Sequence, residues 1–204
     1  AIFRRLLPDY DTMEKRVFVT HADVDHCGLL PLFDMVETSA KRAECLRLEA
    51  LGEDGYREQN PLHRPYIKIC KTLTGYRPPE PARVRVVAGD LAPQEDPLRH
   101  VGMYVFGELR FEVYEGKGGH LPGELVLIDY AHKLAFTGDV YVNLKEMTAE
   151  QAAYNQYAPI LMTSVDSDSA LCAAERAEVF QRLGVGEWRV FGAHGMKKDY
   201  RVHA

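Results

Sequence analysis

A short apolar run, Val17-Phe18-Val19, leads straight into His21-Ala22-Asp23-Val24-Asp25-His26. No other stretch of the chain limits its folding as much. The run has the composition of a β-strand, and a strand that ends in clustered imidazoles and carboxylates presents metal-ligating side chains at one sheet edge. Such a cluster is useful only in a fold that brings further ligands to the same edge.

The chain offers three more candidates in order: His120 in Gly-Gly-His-Leu-Pro-Gly, Asp139 in Phe-Thr-Gly-Asp, and His194 in Phe-Gly-Ala-His-Gly. Glycine beside a ligand lets the backbone come close to an ion. Neutral imidazoles and carboxylates together suit borderline divalent ions such as zinc, manganese or ferrous iron.

The surrounding pattern predicts strands over 16–20, 35–38, 83–88, 102–106, 109–114, 125–129, 134–137 and 188–191. Helices are expected over 2–7, 40–51, 66–73, 149–155 and 171–183, and a further one is expected to open in the apolar stretch 28–33. Residues 160–162 read as apolar. Strand groups alternating with helices imply an α/β sandwich with helices outside two sheets. With 204 residues and 46% hydrophobic content there is enough chain for one buried core. Neither an internal repeat nor a linker is visible, so one domain over 1–204 is expected.

A net charge of −5 argues against a general nucleic-acid binder. The sequence has no run of about 18 apolar residues that would cross a membrane, and no leader pattern. The four cysteines are irregularly spaced, which suits a reducing cytoplasm better than a disulfide scaffold. Cys27 stands out only because it follows His26.

The ordered motifs resemble the metallo-β-lactamase superfamily, whose signature is H-x-H-x-D-H followed by a lone His, a bridging Asp and a final His. The resemblance spans about Val17 to Gly195. It implies a four-layer αββα sandwich and a binuclear hydrolase in which a metal-activated hydroxide attacks a small-molecule substrate. His21, Asp23 and His120 would bind one ion, Asp25, His26 and His194 the other, and Asp139 would bridge them. Zinc is the first choice of metal, with iron or manganese as alternatives. Asp25 would also shuttle a proton. The Gly-His-Leu-Pro-Gly and Thr-Gly-Asp contexts resemble the glyoxalase-type hydrolases, so a small anionic ester or thioester is expected, with a phosphoester as a further class.

Asp23 departs from the pattern, which has His there. A carboxylate makes that position harder and favours iron or manganese. It resembles the carboxylate of the superfamily's di-iron flavoproteins, so an oxidoreductase is the rival reading. A degenerate ligand-binding member is the third. The family also carries about two hairpins of strand and a D-x-G turn ahead of the first motif. Only twenty residues precede it here, so the sandwich is expected to lack its first N-terminal strands and to have them completed elsewhere. Exposed edge strands would allow a homodimer.

Between His26 and His120 lies an unusually long stretch, with residues 53–80 read as an insertion near the active-site mouth. Arg57, His63, Arg64, Lys68 and Lys71 concentrate positive charge there. Arg64 is singled out to read an anionic substrate, and Tyr141 to hydrogen-bond a substrate oxyanion, with Asn143 a similar candidate. The cluster Asp166-Ser167-Asp168 reads as a helix cap.

Overall fold

The computed structural model describes residues 2–157, 162 and 164–203. The expected apolar segment 160–162 lies largely outside the described residues.

Two sheets make the frame. The first holds three parallel strands in the order β1 (Arg16–Phe18), β2 (Met35–Ser39), β3 (Val84–Ala88). The second has six, running in sequence order: β4 (Leu98–Phe106), β5 (Leu109–Gly116), β6 (Leu125–Asp129), β7 (Leu134–Phe136), β8 (Gly186–Phe191) and β9 (Lys198–Val202). Its pairs are antiparallel except β7 with β8.

Three apolar clusters separate four layers. Ala88 from the first sheet packs with Val113 and Leu125 of the second, flanked by Phe18, Val101 and Tyr104. Val36 and Val19 pack on the far side of the first sheet against Cys45 and Leu46 of α3 (Ala40–Ala50), together with Cys27 and Leu30. Val126, Ile128, Ala135, Trp188 and Val190 pack on the far side of the second sheet against Val179 and Leu183. Val179 belongs to α7 (Ser169–Arg182). Leu-Val-Leu-Ile-Asp in β6 is buried at every position because both faces of that strand are covered. The expected αββα order is therefore present.

Local signals set the helix ends. The Ser39 side chain accepts from the Arg42 N–H to start α3, and Asp168 accepts from the N–H groups of Ala170 and Leu171 to start α7. Helix α5 (Arg64–Thr74) has Pro in its first turn and ends on Gly75 with φ of 63°. The remaining helices are α1 (Ile2–Leu6), α2 (Val24–Cys27), α4 (Tyr56–Gln59) and α6 (Ala149–Asn155). No described helix is long and apolar enough to cross a membrane.

In three places the elements differ from expectation. The helix expected over 28–33 begins earlier, as α2 inside the ligand motif, and only a 3-10 turn at Leu30–Leu32 follows. Pro31 cannot donate to a longer helix there. Helix α4 is a single turn, too short to show periodicity. Strand β9 has the sequence Lys-Asp-Tyr-Arg-Val, an edge strand whose charged residues hide it from an apolar-run search.

Candidate metal centre

The four ligand-bearing loops meet at one end of the frame. The first motif leaves the C-terminal end of β1. His120 lies between β5 and β6, Asp139 follows β7, and His194 follows β8. Because β7 and β8 are parallel and β6 runs opposite to β7, all of these ends fall on the same side. The Leu125 N–H donates to the Thr20 carbonyl at 2.9 Å and joins the two sheets at this edge. Gly195 fixes the last loop: its φ is +82°, and a Cβ there would lie 2.2 Å from the Asn143 carbonyl oxygen. Asn143, a substrate candidate from sequence, donates instead to the Met196 carbonyl, and its own N–H donates to the His194 carbonyl. It shapes the loop that carries His194.

Around one point stand Asp25 Oδ2, His26 Nε2, His194 Nε2 and Asp139 Oδ2. The separations are 3.3 Å for Asp25–His26, 3.4 Å for Asp25–His194, 3.2 Å for His26–His194, 3.7 Å for His26–Asp139 and 3.3 Å for His194–Asp139. Ligands ~2.0–2.1 Å from a tetrahedral ion lie about 3.3 Å apart, so this set fits a divalent ion. His21 Nε2, fully buried and 3.8 Å from Asp139 Oδ2, has no hydrogen-bond partner among the described residues, and neither has Asp139 Oδ1.

Buried carboxylates hold the rings in place. Glu124 is fully buried between β5 and β6, with Oε1 3.3 Å from His21 Nδ1, and it accepts the Asp139 N–H. Burial pushes the Glu124 carboxyl up to about 8. Asp166 Oδ1 lies 3.0 Å from His120 Nδ1. Each contact to Nδ1 leaves Nε2 facing the cluster. Of the expected cap cluster, Asp168 caps α7 while Asp166 stands against the His120 ring.

The electrostatics favour a cation. Burial works against charge on His26, yet Asp139 and Asp25 raise it to about 11. Hydrogen bonds to Asp139 and Asp25 raise His194 to about 9. Asp25 is held well below the usual carboxylate range, against its burial, by His194 and His26.

The other arm of the cluster is different. Asp23 and His120 approach at 3.3 Å, and His120 Nε2 lies 3.5 Å from Asp139 Oδ2. Between Asp23 and His120 sits the guanidinium of Arg57 from α4. It donates from Nε to Asp23 Oδ1 at 2.9 Å and from Nη2 to Asp23 Oδ2, and Nη2 also lies 3.0 Å from His120 Nε2.

No protein-family model and no curated protein matches the chain. Solved structures do. One is the BLEG-1 B3 metallo-β-lactamase, at a TM-score of 0.50 and 19% identity over 96% of this chain and 78% of that one. Another is a β-lactamase domain protein from Burkholderia ambifaria, at a TM-score of 0.55 and 18% identity over 98% of this chain and 55% of that one. This is the metallo-β-lactamase fold. The chain spans little more than half the length of the second protein. At such identities the likeness speaks for the scaffold, and the chemistry has to be argued from the site.

On that metallo-β-lactamase scaffold, a cavity of about 510 Å³ opens over the ligands. Val24, Ile67, Val140, Val142 and Leu144 are among its apolar lining residues, and Asp25, Arg57 and Arg176 are among the charged ones. Two of the expected substrate contacts stand away from the cavity lining. Tyr141 does not line the cavity; it packs edge-on against Phe180 with ring centroids 5.3 Å apart. Arg64 pairs with Asp54 at the surface, at 2.8 Å, so the arginine of the 53–80 segment that reaches the site is Arg57. Cys27 is buried, with its thiol 3.5 Å from the His21 carbonyl oxygen, and burial pushes that thiol up.

Proposed function

We propose that the protein is a metal-dependent hydrolase acting on a small anionic ester, thioester or phosphoester. The observation that carries this reading is the cluster of Asp25, His26 and His194, with Asp139 against both imidazoles, beside a mainly apolar cavity. A divalent ion held there, zinc being the best match to a tetrahedral set of two imidazoles and two carboxylates, would polarise a scissile group and bring the pKa of a bound water toward neutrality.

The chain's own residues supply the rest. The cavity walls exclude water and take up the apolar part of a substrate. Arg176 lines the same cavity, and its buried Nε has no partner among the described residues, so it is the natural receiver of a substrate carboxylate or phosphate. Asp25 places one oxygen in the shell. The other can take a proton from the attacking water and pass it to the leaving group. His21 and His120, held by Glu124 and Asp166, keep the floor of the site rigid.

The iron-oxidoreductase reading drew on the negative charge of Asp23. Arg57 neutralises that charge, which leaves hydrolysis as the better-supported reading. The test is a panel of carboxylic esters, thioesters and phosphoesters offered to zinc-loaded protein. Turnover of one class that disappears in Asp139→Asn and weakens in Arg176→Ala is expected. A zinc-loaded protein that hydrolyses none of them, together with an iron-loaded one that consumes oxygen, would overturn the proposal.

A further inference from the structure

The two halves of the ligand cluster are not equivalent. In the half made by Asp25, His26 and His194, no arginine or lysine nitrogen stands on a ligating atom among the described contacts. In the other half, an arginine has taken the ligating atoms. Arg57 Nε and Nη2 donate to the two oxygens of Asp23, and Nη2 also reaches His120 Nε2. His120 Nε2 lies 3.0 Å from Nη2 and 3.3 Å from Asp23 Oδ2, so an ion could reach either ligating atom only by displacing the guanidinium.

Arg57 is not a surface arm that has folded inward. It is 4% exposed, and Nη1 is also bound, to the Val165 carbonyl and, at 3.3 Å, to His63 Nδ1. Its short helix is braced as well. The Glu58 carboxylate accepts the Gly55 N–H at 3.0 Å and meets Lys71 Nζ of α5 at 2.7 Å, and Lys71 reaches Glu49 of α3 at 2.6 Å. An arginine in such a setting keeps its charge at every working pH.

This also accounts for the odd residue in the first motif. A carboxylate at position 23 can neutralise a buried guanidinium bidentately, whereas an imidazole cannot. We propose that Arg57 replaces the first metal ion as a fixed cation, so that the protein works with a single ion on Asp25, His26, His194 and Asp139. The inference rests on the metal-site reading above and departs from the binuclear arrangement that the motifs imply. The ligating atoms of His21, Asp23 and His120 lie within 4.8 Å of one another, but the guanidinium stands on two of the three and leaves only His21 clear of it.

The test is a titration of the metal-free full chain with cobalt(II). It is followed by visible absorption, and bound metal is counted by mass spectrometry after gel filtration. Wild type is expected to saturate at about one equivalent. Arg57→Ala frees Asp23 and His120, so a second equivalent with its own absorption band is expected, while Arg57→Lys stays at one. Two equivalents of comparable affinity in wild type overturn the proposal and leave the hydrolase reading standing. So does an Arg57→Ala protein that has native circular dichroism and still stops at one. If Arg57→Ala does not fold, the wild-type count alone decides. No cobalt bound to wild type removes the metal-site reading, and this inference with it.

Discussion

His21 and His120 turn the same nitrogen toward the cluster because a buried carboxylate stands behind each ring. Glu124 does more than orient His21, since it also accepts the Asp139 N–H and so sets two ligands at once. Glu124→Gln is expected to weaken metal binding by about 10–100-fold, measured by competition with a chromophoric chelator. An unchanged affinity would mean that the ring is held by packing alone. The candidate ligands were legible because they cluster in motifs. Glu124, Asp166 and Arg57 were not, because nothing in their local sequence marks them. Glu124 reads as an ordinary charge after a Gly-His-Leu-Pro-Gly turn, Asp166 as part of a cap, and Arg57 as one of several cations. Only the folding of distant segments onto one point gives them partners.

Helices α4 and α7 show how elements position chemistry without supplying ligands. The backbone beside the His120 turn presses against the first turn of α7: a Cβ on Gly119 would lie 2.3 Å from the Cys172 backbone nitrogen. Gly119→Ala should therefore displace the turn, costing about 1–3 kcal/mol in denaturant unfolding and weakening metal binding as well. Asp168→Ala removes the cap of the same helix and should cost about 1 kcal/mol while leaving the metal count as it was. If the two variants behave alike, the close approach at Gly119 does not shape the site. Longer elements were readable from their periodicity and caps, as α3, α5 and α7 illustrate. The four-residue α4 was not, although it carries the arginine that reaches Asp23 and His120.

Across the whole molecule, metal binding, protonation and stability are linked. In the metal-free protein the raised His26 and His194 retain protons at neutral pH, until the pH passes about 9 for His194 and about 11 for His26. An ion needs those lone pairs, so affinity should rise with pH, and calorimetry in buffers of differing ionisation enthalpy should show about one to two protons released per ion. Binding independent of the buffer would contradict this. Zinc at a hundredfold excess over its Kd should stabilise the fold by about 2.7 kcal/mol and raise Tm by about 5–10 °C, and a chelator should reverse both. Asp25 and His26 follow the three-stranded sheet, while Asp139 and His194 follow the six-stranded one. The ion would then act mechanically, as a rivet through two plates that otherwise touch through apolar side chains and a few edge hydrogen bonds. Pulled apart in a force experiment, the plates should part in one step at higher load when the rivet is in, and should begin to slide at the β1–β6 edge when it is out.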